Sequence, residues 1–282
     1  MIQNLQITQT DTTTSPSTTL NTYITLDPTQ NQTSIYTVSK QGSGSAVTSP
    51  VTTYTGMTNG SIYDDSDIGH QETAGDPHYD AYTDSVAAAS AGSASHGLDK
   101  TGGVSGVIAD NYYNSSGVLV HASGLTVATP STNNINIDGN ITTNTQRTAS
   151  GSGYITEGSD TNFLHKAGTI GLIGNAIEVV DTDSSGNPLT NVTVDAALMA
   201  YDTFDGCNIG GRATGTIQVI GSNTAETGGT FGVANGSGVL QSGLFASYFT
   251  DNRMASNPPP YFPTTQTGYD IISWQRVNST LE

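Results

Sequence analysis

Four short apolar runs recur at almost even intervals in the C-terminal half of this 282-residue chain. They begin at Thr169, Thr193, Thr216 and Val239, so successive starts lie 24, 23 and 23 residues apart. A repeat of about 20 to 30 residues, rich in strand formers and separated by small polar turns, is typical of a chain coiled into a β-solenoid. One coil cannot bury its apolar side alone, so the repeat predicts several stacked coils around one narrow core.

Two segments upstream, SGVLVHASGLTVAT and NNINIDGNITTNT, predict two further coils. Near the N-terminus, LNTYITLDP and TSIYTVSKQG flank a turn built from Asp27, Pro28 and Asn31. Strand-length runs on either side of such a turn predict an antiparallel hairpin or small sheet. We therefore expect a mainly all-β protein with little helix, in which a β-solenoid or β-helix-like array is joined to a small antiparallel sheet.

The pattern divides the chain into three parts. Residues 1–60 are predicted to form the small sheet, residues 61–110 an irregular, acidic and tyrosine-rich connection, and residues 111–282 the solenoid. Pro258–Pro260, followed by Tyr261 and Phe262, predicts a stiff segment that lays two aromatic rings over the open end of the solenoid. With Trp274 this cap covers residues 257–274. A recognition peptide in polyproline conformation is the alternative interpretation.

The charge balance restricts the classes of partner. Only 11% of residues are charged, yet 24 acids oppose seven Lys and Arg, giving a net charge of −17. This balance is common in secreted, cell-surface and viral structural proteins, and it disfavours nucleic-acid binding, which requires clustered Lys and Arg.

The single cysteine, Cys207, excludes an intrachain disulfide and is interpreted as a small buried residue. No apolar run approaches the length of about 20 residues that a membrane helix needs. We expect an N-terminal anchor to have been removed.

Two acidic segments are candidate metal sites, but neither is favoured. The first comprises Asp64, Asp65, Asp67, His70, Asp76, His78 and Asp80. Its spacing matches no familiar ligand template, so a solvated loop is the preferred interpretation. The second offers oxygens from Asp181, Asp183 and Asn187 around Gly186, but it lacks the closing glutamate of a calcium loop and is predicted to be a hairpin turn. We therefore predict no metal ion and no cofactor.

Catalytic and base-stacking interpretations are also the weaker ones. Nothing in the sequence brings together the basic residues Lys166, Arg212, Arg253 and Arg276 of the predicted solenoid. Because no nucleophile elbow or phosphate loop accompanies them, no catalytic residue is predicted. Five tyrosines could stack on sugars or bases but are expected to pack an irregular region: Tyr63, Tyr79, Tyr82, Tyr112 and Tyr113.

The C-terminal segments GTIGLIGNAIEVV, NVTVDAALMAYDTF, YFTDNRMASNPPPYFPT and YDIISW resemble the extracellular portion of a family of pilus-associated minor pilins, the ComZ-like and PilX-like proteins. The most distinctive positions are Tyr248, Asp251, Arg253, Met254, residues 257–263 and Trp274. The resemblance covers about residues 165–275 and extends to YITLDPTQNQTSIYTVSKQG, which is similar to a pilin-type strand pair. The chain departs from the family in lacking the hydrophobic pilin helix, its processing site and a cysteine pair.

The resemblance implies a cell-surface protein that is anchored in the inner membrane before it joins or caps a type IV pilus, with a part in DNA uptake. We accordingly expect a non-enzymatic, extracellular pilus component whose partners are other pilus subunits, bound through the missing helix. Extracellular DNA is a further candidate partner, which the net charge disfavours. The alternatives are a viral fibre or adhesin module, expected to be trimeric, and a polysaccharide-active β-helix enzyme.

Overall fold

The computed structural model describes residues 4–11, 16, 18–64, 68, 102–145, 148–149, 155–156, 167–183, 187–207, 209–251, 254 and 257–263. Its strands, in chain order, are β1 (Asn4–Asp11), β2 (Thr18–Asp27), β3 (Gln32–Gln41), β4 (Val47–Thr48), β5 (Thr52–Thr55), β6 (Asn59–Tyr63), β7 (Val104–Ile108), β8 (Tyr112–Tyr113), β9 (Leu119–His121), β10 (Gly124–Ala128), β11 (Ile135–Thr143), β12 (Thr148–Ala149), β13 (Ile155–Thr156), β14 (Thr169–Gly174), β15 (Ile177–Val179), β16 (Asn191–Ala200), β17 (Thr203–Gly206), β18 (Gly215–Thr224), β19 (Thr227–Gly228), β20 (Gly232–Ala234) and β21 (Leu240–Thr250). The structure is nearly all β with very little helix, which confirms the predicted fold class.

The strands coil into a solenoid with three faces, each a parallel ladder. The first face contains β6, β10, β14 and the second halves of β16 and β18. The second face contains the start of β11, then β15, β17 and β19, with Ile68 bridged to Ile135. The third face contains β7, the end of β11, the first halves of β16 and β18, and β21. Each turn of the chain thus contributes one segment to every face.

The repeat is longer than the sequence spacing indicates. Gly171 pairs with Ala197, 26 positions later, and Val194 pairs with Val219, 25 positions later. At the last coil Ile217 pairs with Ala246, 29 positions later. The predicted spacing of 23 or 24 residues is too short because it compares positions that are not equivalent in successive coils. Thr169 begins a strand of the first face, whereas Thr193 lies on the third face.

The core consists of aliphatic side chains that stack on their equivalents in the next coil. Val127 lies next to Leu172, and Leu172 next to Leu198, on the inner side of the first face. All three are buried, and each contributes about 1.5 to 3 kcal/mol relative to an exposed side chain. Phe204 ends the aliphatic series on the second face, in an edge-to-face contact with Phe231 at 5.0 Å between ring centroids.

The corner between the third and first faces requires a glycine in β18. Gly221 has φ +145°, and a Cβ built there would lie 2.0 Å from the carbonyl oxygen of Ala196 in the coil below. No side chain fits so close to a neighbouring backbone, so glycine lets β18 turn through the corner without losing its pairing with β16.

The N-terminal sheet is continuous with the solenoid. β1, β2 and β3 form an antiparallel sheet, as predicted, and Asn31 takes the left-handed conformation in the turn between β2 and β3. β1 also pairs with β7, in the register Leu5 with Gly106. Eight strands therefore follow one another in the order β3–β2–β1–β7–β11–β16–β18–β21, and we call this series the eight-stranded sheet. The short strands β4 and β5 pair with the other edge of β3.

The first coils differ from the sequence prediction in two respects. The segments predicted as two coils form one, because GLTVA is β10 and INIDGNITT is β11 of the same turn, while SGVLVH belongs to a projecting hairpin of β8 and β9. The coil also begins before residue 111, since β6 and β7 lie within or at the border of the segment predicted to be irregular. Most of that segment, residues 69–101, lies outside the described residues.

Candidate binding surfaces

A row of uncharged side chains crosses the outer side of the eight-stranded sheet, one from each strand. We call it the outer row: Tyr36, Tyr23, Gln6, Ser105, Asn140, Thr193, Gln218 and Ser247. Ser105 stands opposite the bulge of β11 that contains Asn140, and the other neighbours follow from the strand registers. Thr193 illustrates the orientation, because Val192 and Val194 on either side of it are buried in the core. Every member of the row is partly or fully exposed.

Aromatic side chains lie at both ends of this face. Tyr23 and Tyr36 stack across β2 and β3, with ring centroids 4.9 Å apart and planes inclined by 17°. At the other end Phe245 on β21 is 64% exposed and points outward beside Thr216. Six strand spacings separate β2 from β21, which corresponds to roughly 29 Å.

Hydrogen bonds between neighbouring strands fix the amides of this face. The Asn140 side-chain oxygen accepts the backbone N–H of Thr193 at 2.8 Å, and the Asn191 side-chain oxygen accepts the Thr216 hydroxyl at 3.0 Å. The Asn21 oxygen accepts the Thr8 hydroxyl at 2.7 Å. Because these amides use their oxygens within the sheet, their NH₂ groups are the donors they present outward.

A polar cleft of about 420 Å³ lies where β2, β7 and β11 end at the same edge of the sheet. Asp110 accepts hydrogen bonds from the Thr145 backbone N–H and hydroxyl and from the Asn144 amide, at 2.7 to 3.1 Å. Asn111 accepts the Ser123 N–H at 2.7 Å, and Asp27 accepts the N–H of Gln30 at 3.0 Å. Because these side chains already bond to backbone and side-chain groups of the surrounding loops, we interpret the cleft as a structural junction.

The Pro-rich segment lies along the side of the solenoid as a lateral strap. A type II turn shapes it, because the Phe262 N–H donates to Pro259 O at 3.1 Å and Tyr261 has φ +59°. The strap lies against Gly124, Thr126 and Gly171 on the outer side of the first face. The Thr126 hydroxyl donates to Pro260 O. For residues 257–263 the predicted end cap is therefore wrong, and Trp274 lies outside the described residues.

Arg212 is a buried cation that packs beside the second face, near Gly206 and Phe231. It is 4% exposed, and its guanidinium donates to Val179 O at 2.7 Å and to Leu189 O at 2.9 Å. Burial lowers its pKa, and the neighbouring Cys207 and Asp181 oppose that shift. The sulfur of the half-buried Cys207 lies 3.5 Å from a carboxylate oxygen of Glu178. Cys207 is thus less buried and in a more polar environment than the sequence interpretation expects.

The first acidic segment is mostly outside the described residues, and the second forms a turn. Groups of three or more His, Cys, Asp or Glu able to hold a metal ion do not occur in the part of the chain that is described. Asp64 accepts a hydrogen bond from Gln9 at 3.0 Å, while Asp65, Asp67, His70, Asp76, His78 and Asp80 lie outside the described residues. Asp183 accepts the Asn187 N–H at 2.8 Å in a hairpin turn, as predicted, and Gly186 is not among the described positions.

The other candidate residues fall on separate elements. Tyr63 is exposed on β6, whereas Tyr112 stacks on His121 in the β8–β9 hairpin with centroids 6.1 Å apart and Tyr113 follows on β8. Tyr79, Tyr82, Lys166, Arg253 and Arg276 lie outside the described residues. The described cations are Lys40 and Arg212, and Arg212 is buried. The sequence does not predict the outer row because its members come from strands that are far apart in the chain.

Comparison of the chain with protein-family models, curated proteins and solved structures finds no match. None of the described segments forms a helix with the length and apolar character needed to cross a membrane.

Proposed function

We propose that this chain is a non-enzymatic module exposed on the cell surface, the ectodomain of a minor-pilin-like pilus component. The observation that carries the proposal is the continuous sheet from β3 to β21, in which the N-terminal strands are hydrogen-bonded to the first coil through β1 and β7. A module held from its N-terminal side thereby keeps the solenoid in a fixed orientation. Other pilus subunits are the proposed partners, through a helix upstream of residue 1.

The charge of the described residues bears on whether this chain has the DNA-uptake role that its resemblance to minor pilins implies. The exposed cation in this part is Lys40, and the net charge of the whole chain is −17. Direct binding of DNA by the described part of the chain would be weak and strongly salt-dependent. We therefore propose a presenting or assembly role for the solenoid rather than DNA capture.

The test is where the protein lies on intact source cells. Antibodies against residues 1–282 should place immunogold label on or at the tips of surface filaments, and deletion of the gene should remove the label. Label confined to the cell interior would contradict the proposal.

A viral fibre or adhesin module is the second candidate. The observation in its favour is the edge of Leu244–Thr250 that faces away from β18, with which no other described strand pairs. Unpaired edges recruit other chains. Light scattering separates the two, since a pilus ectodomain is expected to be monomeric and a fibre module trimeric.

A further inference from the structure

We propose that the outer side of the eight-stranded sheet binds an uncharged polysaccharide, laid across the strands along the outer row. This inference concerns the chain itself and holds whether or not the protein belongs to a pilus. It rests on the chemistry of the outer row, on the aromatic residues at its ends and on the charge of the molecule.

The row offers only groups that match hydroxyl-rich ligands. Its members carry hydroxyl groups, amides and two phenol rings, and none of them is an Asp, Glu, Lys, Arg or His. Amide NH₂ groups such as that of Asn140 point outward as donors because their oxygens are bonded within the sheet. Sugar hydroxyls both donate and accept, so they fit a surface that mixes amides with Thr and Ser hydroxyls.

The aromatic residues supply the apolar part of a sugar site. Phe245 is 64% exposed at one end, and its ring is open to stacking against a sugar. At the other end the rings of Tyr23 and Tyr36 stack on each other, which uses one face of each ring. With about 29 Å between the ends, the site is long enough for several sugar units in an extended chain.

Charge selects the neutral polymer among the occupants that a flat sheet face could hold. The net charge of −17 repels polyanions such as nucleic acids and polyuronates, and also a second copy of this chain. A basic peptide would be attracted to the acidic molecule, but the carboxylates nearest the outer row, Asp138 beside Ser105 and Asp195 on β16, are buried. An uncharged, hydroxyl-rich chain is the occupant without an electrostatic penalty.

The test is affinity electrophoresis of the full chain in native gels cast with amylose, mixed-linkage β-glucan, xyloglucan or galactomannan, with alginate and dextran sulfate as charged comparators. At least one neutral polymer should slow migration, and alginate and dextran sulfate should not. Phe245→Ala and Tyr36→Ala should each weaken retention roughly tenfold, as expected for loss of one strong contact. Tyr63→Ala, which removes an exposed ring from a different face, should leave retention unchanged.

A charge placed mid-row tests the sign of the ligand. Thr193→Glu and Thr193→Lys should both reduce retention by a neutral polymer, with thermal unfolding temperatures unchanged to show that both variants fold. If Thr193→Lys strengthened retention while Thr193→Glu weakened it, the ligand would be anionic and the proposal wrong. Retention by none of the neutral polymers, or retention unaffected by Phe245→Ala and Tyr36→Ala, would also overturn it. None of these outcomes depends on where the protein lies on the cell.

Discussion

The ring of Phe262 occupies the space that a side chain at Gly171 would fill. A Cβ built on Gly171 would lie 2.4 Å from Cδ2 of Phe262 and 3.1 Å from Cβ of Pro259. The strap therefore depends on one glycine in the middle of β14, a strand in which glycine is otherwise unfavourable. The contact links the last described segment of the chain to the third coil.

Gly171→Ala should displace the strap without unfolding the solenoid. The new methyl group overlaps the Phe262 ring, and overpacking of this kind costs about 1 to 3 kcal/mol. We expect faster protease cleavage around residues 257–263 and a lower unfolding temperature. Gly228→Ala is the matched control, because a Cβ there meets no atom within 4 Å. Equal cleavage rates in both variants would show that the strap does not rest on Gly171.

Asp138→Asn should stabilise the protein at neutral pH. Asp138 is 3% exposed, and among the described residues neither carboxylate oxygen has a hydrogen-bond partner of normal geometry. Burial raises the pKa of this carboxyl above its ordinary value of 3.8, an effect that Ser105 only partly offsets and Asp183 reinforces. Removal of the buried charge should raise the free energy of unfolding at pH 7 by about 1 kcal/mol.

The pH dependence gives this prediction its sign. The folded state binds the Asp138 proton more tightly than the unfolded chain does, so this carboxyl favours folding most below pH 3.8 and less as pH rises through its folded pKa. Urea unfolding at several pH values should therefore show wild type and Asp138→Asn converging near pH 3 and separating toward neutrality. Glu226→Gln, at an exposed corner, is the control and should show no such divergence. A constant difference across pH would contradict the assignment.

The parts that the sequence predicts are those set by local patterns. The turn at Asp27–Asn31 carries its own hydrogen-bonding residues, and β2 and β3 follow directly on either side. The stacked coils are predictable because Val194 and Val219 belong to similar apolar runs. Alternation of inward and outward side chains then follows from strand geometry.

The parts that the sequence does not predict depend on distant pairing. Leu5 lies beside Gly106, a partner that no local pattern specifies, and this pairing creates the eight-stranded sheet. No local pattern requires glycine at position 171, because the requirement comes from the ring of Phe262 that packs over it. The candidate binding face has the same origin, since Tyr23 and Gln218 share a row only after the register of every intervening strand is fixed.

Arg212→Met should destabilise the protein strongly. The guanidinium donates to the carbonyls of Val179 and Leu189, and its loss leaves Leu189 without that donor and Val179 with the Cys207 N–H. A hydrogen bond from a charged group contributes about 1.5 to 3 kcal/mol, so the loss of two should cost about 3 to 5 kcal/mol. Urea unfolding measures the loss, with Arg212→Lys expected to be intermediate and Lys40→Met, which alters an exposed cation, nearly neutral. A loss below about 1 kcal/mol for Arg212→Met would show that these hydrogen bonds contribute little.

Two projecting hairpins use the same turn, formed by the related segments NSSGV at Asn114 and NGSGV at Asn235. In each, the Asn side-chain oxygen accepts two backbone N–H groups at 2.9 to 3.0 Å, and the glycine has φ of +74° or +77°. Asn235→Ala removes both bonds and should speed hydrogen exchange at the amides of Ser237 and Val239 at least fivefold, a change of about 1 kcal/mol in local opening. Asn235→Asp keeps an acceptor at the same place and should retain most of the protection, while exchange at Val118 in the other hairpin should be unchanged in both variants. Equal exchange in Asn235→Ala and wild type would show that the backbone alone holds the turn.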